Sequence, residues 1–166
     1  DALRQFAISG GGAAFRINCV QCHGSGAQGS AGYPNLNDDD WLWGGSLDQI
    51  MQTIEFGARS GHAKAHEGAM LAFGKDGILK KDQIVTVANF VRSLSGLSTA
   101  PGYDASAGAK IFAENCSSCH GENAAGQAGN FPDLTDAVWQ WGGDEAQIIQ
   151  TLRAGRQAAM PAWIIS

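Results

Sequence analysis

The feature that most constrains this chain is a pentapeptide that occurs twice. It reads Cys19-Val20-Gln21-Cys22-His23 and returns, 97 residues later (116 against 19), as Cys116-Ser117-Ser118-Cys119-His120. Two cysteines three positions apart, followed at once by histidine, form the attachment signature of a c-type haem. The spacing has a mechanical reason: the two sulfurs bond to the vinyl groups along one porphyrin edge, while the adjacent imidazole turns under the ring toward iron. Taken singly, such a pentapeptide is also half of a zinc site or a redox dithiol. Two copies that use all four cysteines of the chain favour two covalently attached haem groups.

At 166 residues the length alone suggests one domain. The repeat overrides that, giving a first domain over residues 1–97 and a second over 98–166. Domains below about 80 residues seldom bury enough apolar surface to hold together, so a bound macrocycle is expected to supply much of each core. The formal charge of −5 makes nucleic acid a poor partner. A basic patch on a protein partner suits it better, although such a charge is also ordinary for a soluble domain. No run of about 18 apolar residues exists to span a membrane. The chain starts at Asp1 rather than methionine, which suggests a signal peptide or anchor lost upstream. Because haem is joined to such cysteines on the outer side of the bacterial inner membrane, the expected location is the periplasm.

Residues 1–8 read as a short helix or a linker. Ser9 is a candidate N-cap for a helix running through Phe15 and Ile17 to Cys19. In the second half Ser106, Gly108, Phe112, Asn115 and Cys116 match Ser9, Gly11, Phe15, Asn18 and Cys19. A glycine four residues before an aromatic offers a notch for a crossing helix. The segment Lys81 to Leu94, with Ile84, Val87, Ala88 and Val91 on one face and Phe90 as an anchor, is the candidate partner for the helix of the first half. The alternative is that Gly11 merely belongs to a flexible triplet.

Glycine-rich loops follow each attachment site and lead to Tyr33-Pro34-Asn35-Leu36 and Phe131-Pro132-Asp133-Leu134. A ligating histidine usually donates its other ring N–H to an oxygen. The carbonyls of Pro34 and Pro132 are candidate acceptors for His23 and His120; the plainer alternative is that proline shapes the turn. The acidic run Asp38-Asp39-Asp40 reads as a helix cap or a docking patch. The pairs Trp41/Trp43 and Trp139/Trp141 are expected beside the porphyrin, either as packing alone or with an indole N–H on a propionate. Amphipathic helices come next, carrying Leu47, Ile50, Met51 and Ile54 in one half and Ile148, Ile149 and Leu152 in the other. Arg59 and Arg156 lie beyond them, where a guanidinium fork suits a propionate and solvent exposure is the alternative.

Methionine is the usual second axial ligand in electron-carrying c-type sites. Of three methionines, Met51 sits in a helical apolar pattern and reads as core. Met70-Leu71-Ala72-Phe73 and Met160-Pro161-Ala162-Trp163 align as repeat equivalents, which makes Met70 and Met160 the candidate ligands, paired with His23 and His120 respectively. An inserted stretch before Met70 carries His62 and His66, either of which could displace it.

With these residues in view, the chain resembles the dihaem c-type subunit (subunit III) of cbb3-type cytochrome c oxidases. The likeness rests on Gly10 to Phe15, the first haem motif, the run Tyr33-Pro34-Asn35-Leu36-Asn37-Asp38-Asp39-Asp40-Trp41-Leu42-Trp43-Gly44-Gly45, and Met160-Pro161-Ala162-Trp163. It implies an all-α protein of two tandem class I cytochrome c-like domains, each around a haem c. It also implies an electron relay from a donor cytochrome c to the oxidase's catalytic subunit, with no bond-making chemistry in this chain. Contact with the membrane would come only through a missing anchor or partner subunits. After Trp163 only three residues remain, so the second domain is expected to lack the closing helix that Lys81 to Leu94 provides in the first. A free dihaem carrier similar to cytochrome c4 is the alternative, and a dihaem peroxidase using His62 or His66 as acid and base is a further one.

Overall fold

In a computed structural model that describes residues 1–127 and 129–163, seven helices are connected by glycine-rich loops. They are α1 (Ala2–Asn18), α2 (Val20–His23), α3 (Leu47–Phe56), α4 (Lys81–Leu94), α5 (Ala105–Asn115), α6 (Ser117–His120) and α7 (Glu145–Ala154). Pairing between extended segments is confined, among the described residues, to isolated bridges. The missing closing helix concerns residues 164–166, which lie outside the described residues.

Side-chain caps set the helix starts. Asp1 accepts from the backbone N–H of Leu3 at 3.1 Å, and Asp104 from that of Ala107 at 2.9 Å, each satisfying an N–H that the helix leaves unpaired. The first helix therefore begins well before Ser9 and runs through Gly10-Gly11-Gly12, because the helix formers on either side outweigh the roughly 1 kcal/mol each glycine costs. Ser46 caps α3 in a reciprocal arrangement with Gln49, so the Asp38–Asp40 run, read above as a cap, caps no helix.

Two compact units divide after Asp39. The first contains α1 and α2, and no residue of α1 is buried. In the second unit α4 packs across both α5 and α7. Its Ile84, Val87, Ala88 and Val91 are buried in one cluster with Ile111, Phe112, Ile148 and Leu152. At about 1.5–3 kcal/mol for each large side chain taken out of water, this cluster dominates the unit's stability. Phe90 fills the notch at Gly108, where an added Cβ would stand 2.6 Å from the Phe90 Cβ. The Phe90 and Phe112 rings lie 5.6 Å apart at 52°.

The expected partner of α4 was the helix bearing Phe15; within its own unit α4 packs on α5. The connection from Leu94 to α5 is only ten residues (95–104), a short closure that favours α5 as the neighbour. Asn89, wholly buried, locks the arrangement: its amide donates to Glu145 at 2.6 Å and its carbonyl oxygen accepts from the N–H of Ala100 at 2.7 Å. Arg92 adds a hydrogen bond to the Gly143 carbonyl at 2.7 Å.

Candidate cofactor sites

Each attachment motif occupies a single helical turn, α2 or α6, stacked on the end of the preceding helix. Cys19 N–H donates to the Phe15 carbonyl at 2.9 Å and Cys116 N–H to the Phe112 carbonyl at 2.8 Å. The following loops fold alike. The His23 carbonyl accepts from Gly29 and the Ala27 carbonyl from Leu36; in the second half His120 accepts from Gly126 and Ala124 from Leu134. This return of the chain places the Pro34 carbonyl 3.0 Å from His23 Nδ1 and the Pro132 carbonyl 3.0 Å from His120 Nδ1. A carbonyl only accepts, so Nδ1 carries the proton in both rings and the Nε2 lone pair is left for a metal. Phe131 meets the His120 ring edge-on at 6.2 Å.

None of the four cysteines is paired in a disulfide. Burial, and then the neighbouring Cys119, pushes the Cys116 thiol up to about 11. Burial, and then Cys22, raises Cys19 as well. Burial lowers His120, against an opposing contribution from its bond to Pro132. Among the described residues no group of three or more His, Cys, Asp and Glu side chains is placed to hold a metal ion.

Trp43 and Trp139 have buried indole N–H groups with no hydrogen-bond partner, an expensive condition unless a further acceptor arrives. The carboxylates of a haem edge are such acceptors. Apolar side chains left wet on α3, namely Leu47, Met51 and Ile54, offer surface for a large planar ring. Met51, read as core in the sequence, is 54% exposed to the protein's own side chains and belongs to this same surface. The residues present thus fit covalent haem.

The other candidates fall into two parallel groups. In one, the Arg59 guanidinium lies 5.4 Å over Trp43 and donates to the carbonyls of Ala158 and Gly68. His66 stacks flat on the same indole, 4.7 Å away and 1° from parallel. The Thr53 hydroxyl donates to the Gln49 carbonyl, so at 3.0 Å it accepts from His66 Nε2–H. In the other group Arg156 lies 4.3 Å over Trp141 and donates to Thr151 Oγ1 at 2.9 Å. Trp41 is 39% exposed and covers Gly45 as Trp139 covers Gly143. His62 stacks on Phe56, and its Nδ1 accepts from the Lys64 N–H. Both inserted histidines are thus engaged with aromatic rings and local polar groups.

Met70 and Met160 are each half-buried and each hydrogen-bonded through the backbone to the segment just past a helix. Met70 N–H donates to the Arg156 carbonyl at 2.9 Å, beyond α7. Met160 N–H donates to the Ala58 carbonyl at 2.9 Å, beyond α3. The sequence reading put Met160 with His120; the structure packs Met70 against the buried cluster that contains Cys116. Asn89 went unremarked in the sequence, whereas the two unpartnered indoles belong to tryptophans already expected beside the porphyrin. The polar residue between Ala88 and Phe90 on an otherwise apolar face was the available signal for the first.

A paired-thiol turn followed at once by an imidazole with a free Nε2 defines the protein class of c-type cytochromes. Residues 8–95 match the cytochrome c family model, and the chain belongs to that family. Residues 104–164 match the model for cytochrome c oxidase, cbb3-type, subunit III. The chain is 64% identical over 163 residues to the cbb3-type cytochrome c oxidase subunit FixP of Bradyrhizobium diazoefficiens, covering 98% of this chain and 56% of that protein. It is 53% identical over 162 residues to FixP of Azorhizobium caulinodans, covering 97% and 55%. To the subunit CcoP of Cereibacter sphaeroides it is 47% identical over 163 residues, covering 97% and 56%. The chain therefore spans just over half the length of these relatives. Among the described residues no helix is long and apolar enough to cross a membrane.

Proposed function

We propose that the chain carries two haem c groups and relays electrons from a donor cytochrome c to the catalytic subunit of a cbb3-type oxidase. Haem supplies one-electron exchange; the chain's own residues hold it and tune its surroundings. The two histidines with Nδ1 held by proline carbonyls at the same 3.0 Å support this reading most directly, because two imidazoles are thereby oriented and left basic at Nε2. Cys19 and Cys22 would bind one ring, Cys116 and Cys119 the other, with His23, His120, Met70 and Met160 as iron ligands. Trp43 and Trp139 would donate to propionates, with Trp41, Trp141, Arg59 and Arg156 packed alongside.

The division into two tandem cytochrome c domains, the periplasmic location and the docking to oxidase subunits belong to the same proposal. The protein would transfer charge without making or breaking substrate bonds. The parking of His62 on Phe56 and of His66 on Trp43 disfavours the peroxidase alternative, which needs a free acid or base beside an open iron. An optically followed redox titration should show two haems. The reduced protein should bind little carbon monoxide and pass electrons to the isolated oxidase. Strong carbon monoxide binding by one haem would favour the enzyme, and absence of covalently held pigment would overturn both.

A further inference from the structure

We propose that Arg92 is a positioning residue for Trp139, bracing the turn beneath the indole so that its N–H is held ready at the second attachment site. The inference rests on the haem reading above, and every residue in it belongs to the second compact unit. Trp139 packs against the buried cluster that contains Cys116, and its indole N–H is buried without a hydrogen-bond partner. An indole N–H only donates, so the group that satisfies it has to be an acceptor.

On its other side the ring is closely backed. Trp139 lies over Gly143, where an added Cβ would stand 3.0 Å from Trp139 Cγ and 3.2 Å from Leu97 Cδ1. Leu97 thus closes the same notch that the indole covers. Arg92, near the end of α4, ties both pieces down. Its Nη1 donates to the Gly143 carbonyl at 2.7 Å, and its Nε donates to the carbonyl of Ser98, next to Leu97, at 2.9 Å. The Arg92 carbonyl in turn accepts from the Leu97 N–H at 3.0 Å. A planar guanidinium makes its two bonds from one rigid fork, so the turn under Trp139 and the linker beside it keep a single spacing. The oxygens it reaches are neutral carbonyls, which suits a brace.

The equivalent turn of the first repeat is built differently. Trp41 covers Gly45 as Trp139 covers Gly143, but the three atoms nearest a Cβ on Gly45 all belong to Trp41, and that residue is 39% exposed. The tryptophan and the glycine are the same in both turns. What the second turn adds is Leu97 and the guanidinium behind it, and these come from α4 and the linker rather than from the local sequence.

The test uses the full chain loaded with haem and reads its two midpoint potentials. An N–H bond to a haem carboxylate offsets negative charge near the iron, which favours the reduced state. Trp139→Phe removes the N–H and should lower one potential while leaving the other in place. Arg92→Lys keeps the charge but replaces the fork by a single point donor, and it should lower the same potential. With Arg92→Lys and Trp139→Phe combined, the shift should be no larger than with Trp139→Phe alone, because Arg92 acts through the indole. The indole N–H signal that Trp139→Phe removes from the NMR spectrum should exchange with solvent faster in Arg92→Lys. Parental potentials in Arg92→Lys or in Trp139→Phe overturn the proposal, and so do shifts that add in the combined variant. Should Arg92→Lys fail to fold, Leu97→Ala opens the same notch and enters the same cycle, with unchanged potentials again overturning the proposal. A parent protein without covalent pigment would instead sink the haem reading itself.

Discussion

Helices α1 and α5 are the same element in the repeat, yet α1 has no fully buried residue while α5 buries Gly108, Ile111 and Phe112. The helices α3 and α7 show the same split: Ile54 is 40% exposed, whereas its repeat equivalent Leu152 is 4% exposed. The local sequences do not account for this difference. One amphipathic helix, α4, covers α5 and α7 within the second unit. Burial here is a property of the partner a helix obtains, not of its own pattern.

The comparison breaks most visibly at the aromatic anchors. Phe112→Ala should cost about 3–5 kcal/mol, as for a large ring removed from a packed core. Phe15→Ala should cost less than Phe112→Ala, because Phe15 is only half-buried, in a helix without fully buried residues. Chemical denaturation of the haem-loaded variants reads both. Equal losses would show that α1 has a covering partner of the same quality as α4.

The glycine notches sharpen it. Gly108→Ala should lose roughly 1–3 kcal/mol, since the new Cβ meets Phe90 at 2.6 Å and α4 must shift. Gly11→Ala should gain about 0.5–1 kcal/mol, because nothing lies within 4 Å and alanine is the better helix former. Opposite signs in thermal unfolding support the asymmetry, and a loss at Gly11 contradicts it. Asn89→Ala comes next, at about 1–3 kcal/mol, through the Glu145 carboxylate and the Ala100 N–H left without their partner.

Much of this was legible in the chain. The attachment turns, the proline carbonyls and the two methionine segments stand at repeat positions whose local geometry follows from short-range pattern. The partner of α4 was not legible, because the repeat writes the same Gly and Phe notch at Gly11/Phe15 and Gly108/Phe112. Choosing between them depends on connection length and on Asn89, whose hydrogen bonds reach 11 and 56 residues along the chain. The seating of Met70 beyond α7 and of Met160 beyond α3 was hidden for the same reason, since Gly57 and Gly155 make equivalent seats.

The smallest effect separates the two tryptophan groups. Trp141 carries the guanidinium of Arg156, whereas Trp43 carries His66 as well as the guanidinium of Arg59. Burial, and then the nearby Arg59 charge, holds the His66 imidazole below its usual 6.5. The native state therefore binds fewer protons there than the unfolded chain does. Stability at this site is intact above the unfolded value and declines as pH falls below it toward the native one. Protonation would add a second cation beside Arg59 on one indole, with Glu67 as the carboxylate that already acts on Arg59. His66→Gln keeps a polar group of similar length and removes the titration, so the variant's unfolding free energy should vary less between about pH 7 and pH 5 than the parent's. An unchanged slope would mean that His66 is as free in the native protein as in the unfolded chain, and that its stacking on Trp43 carries no weight.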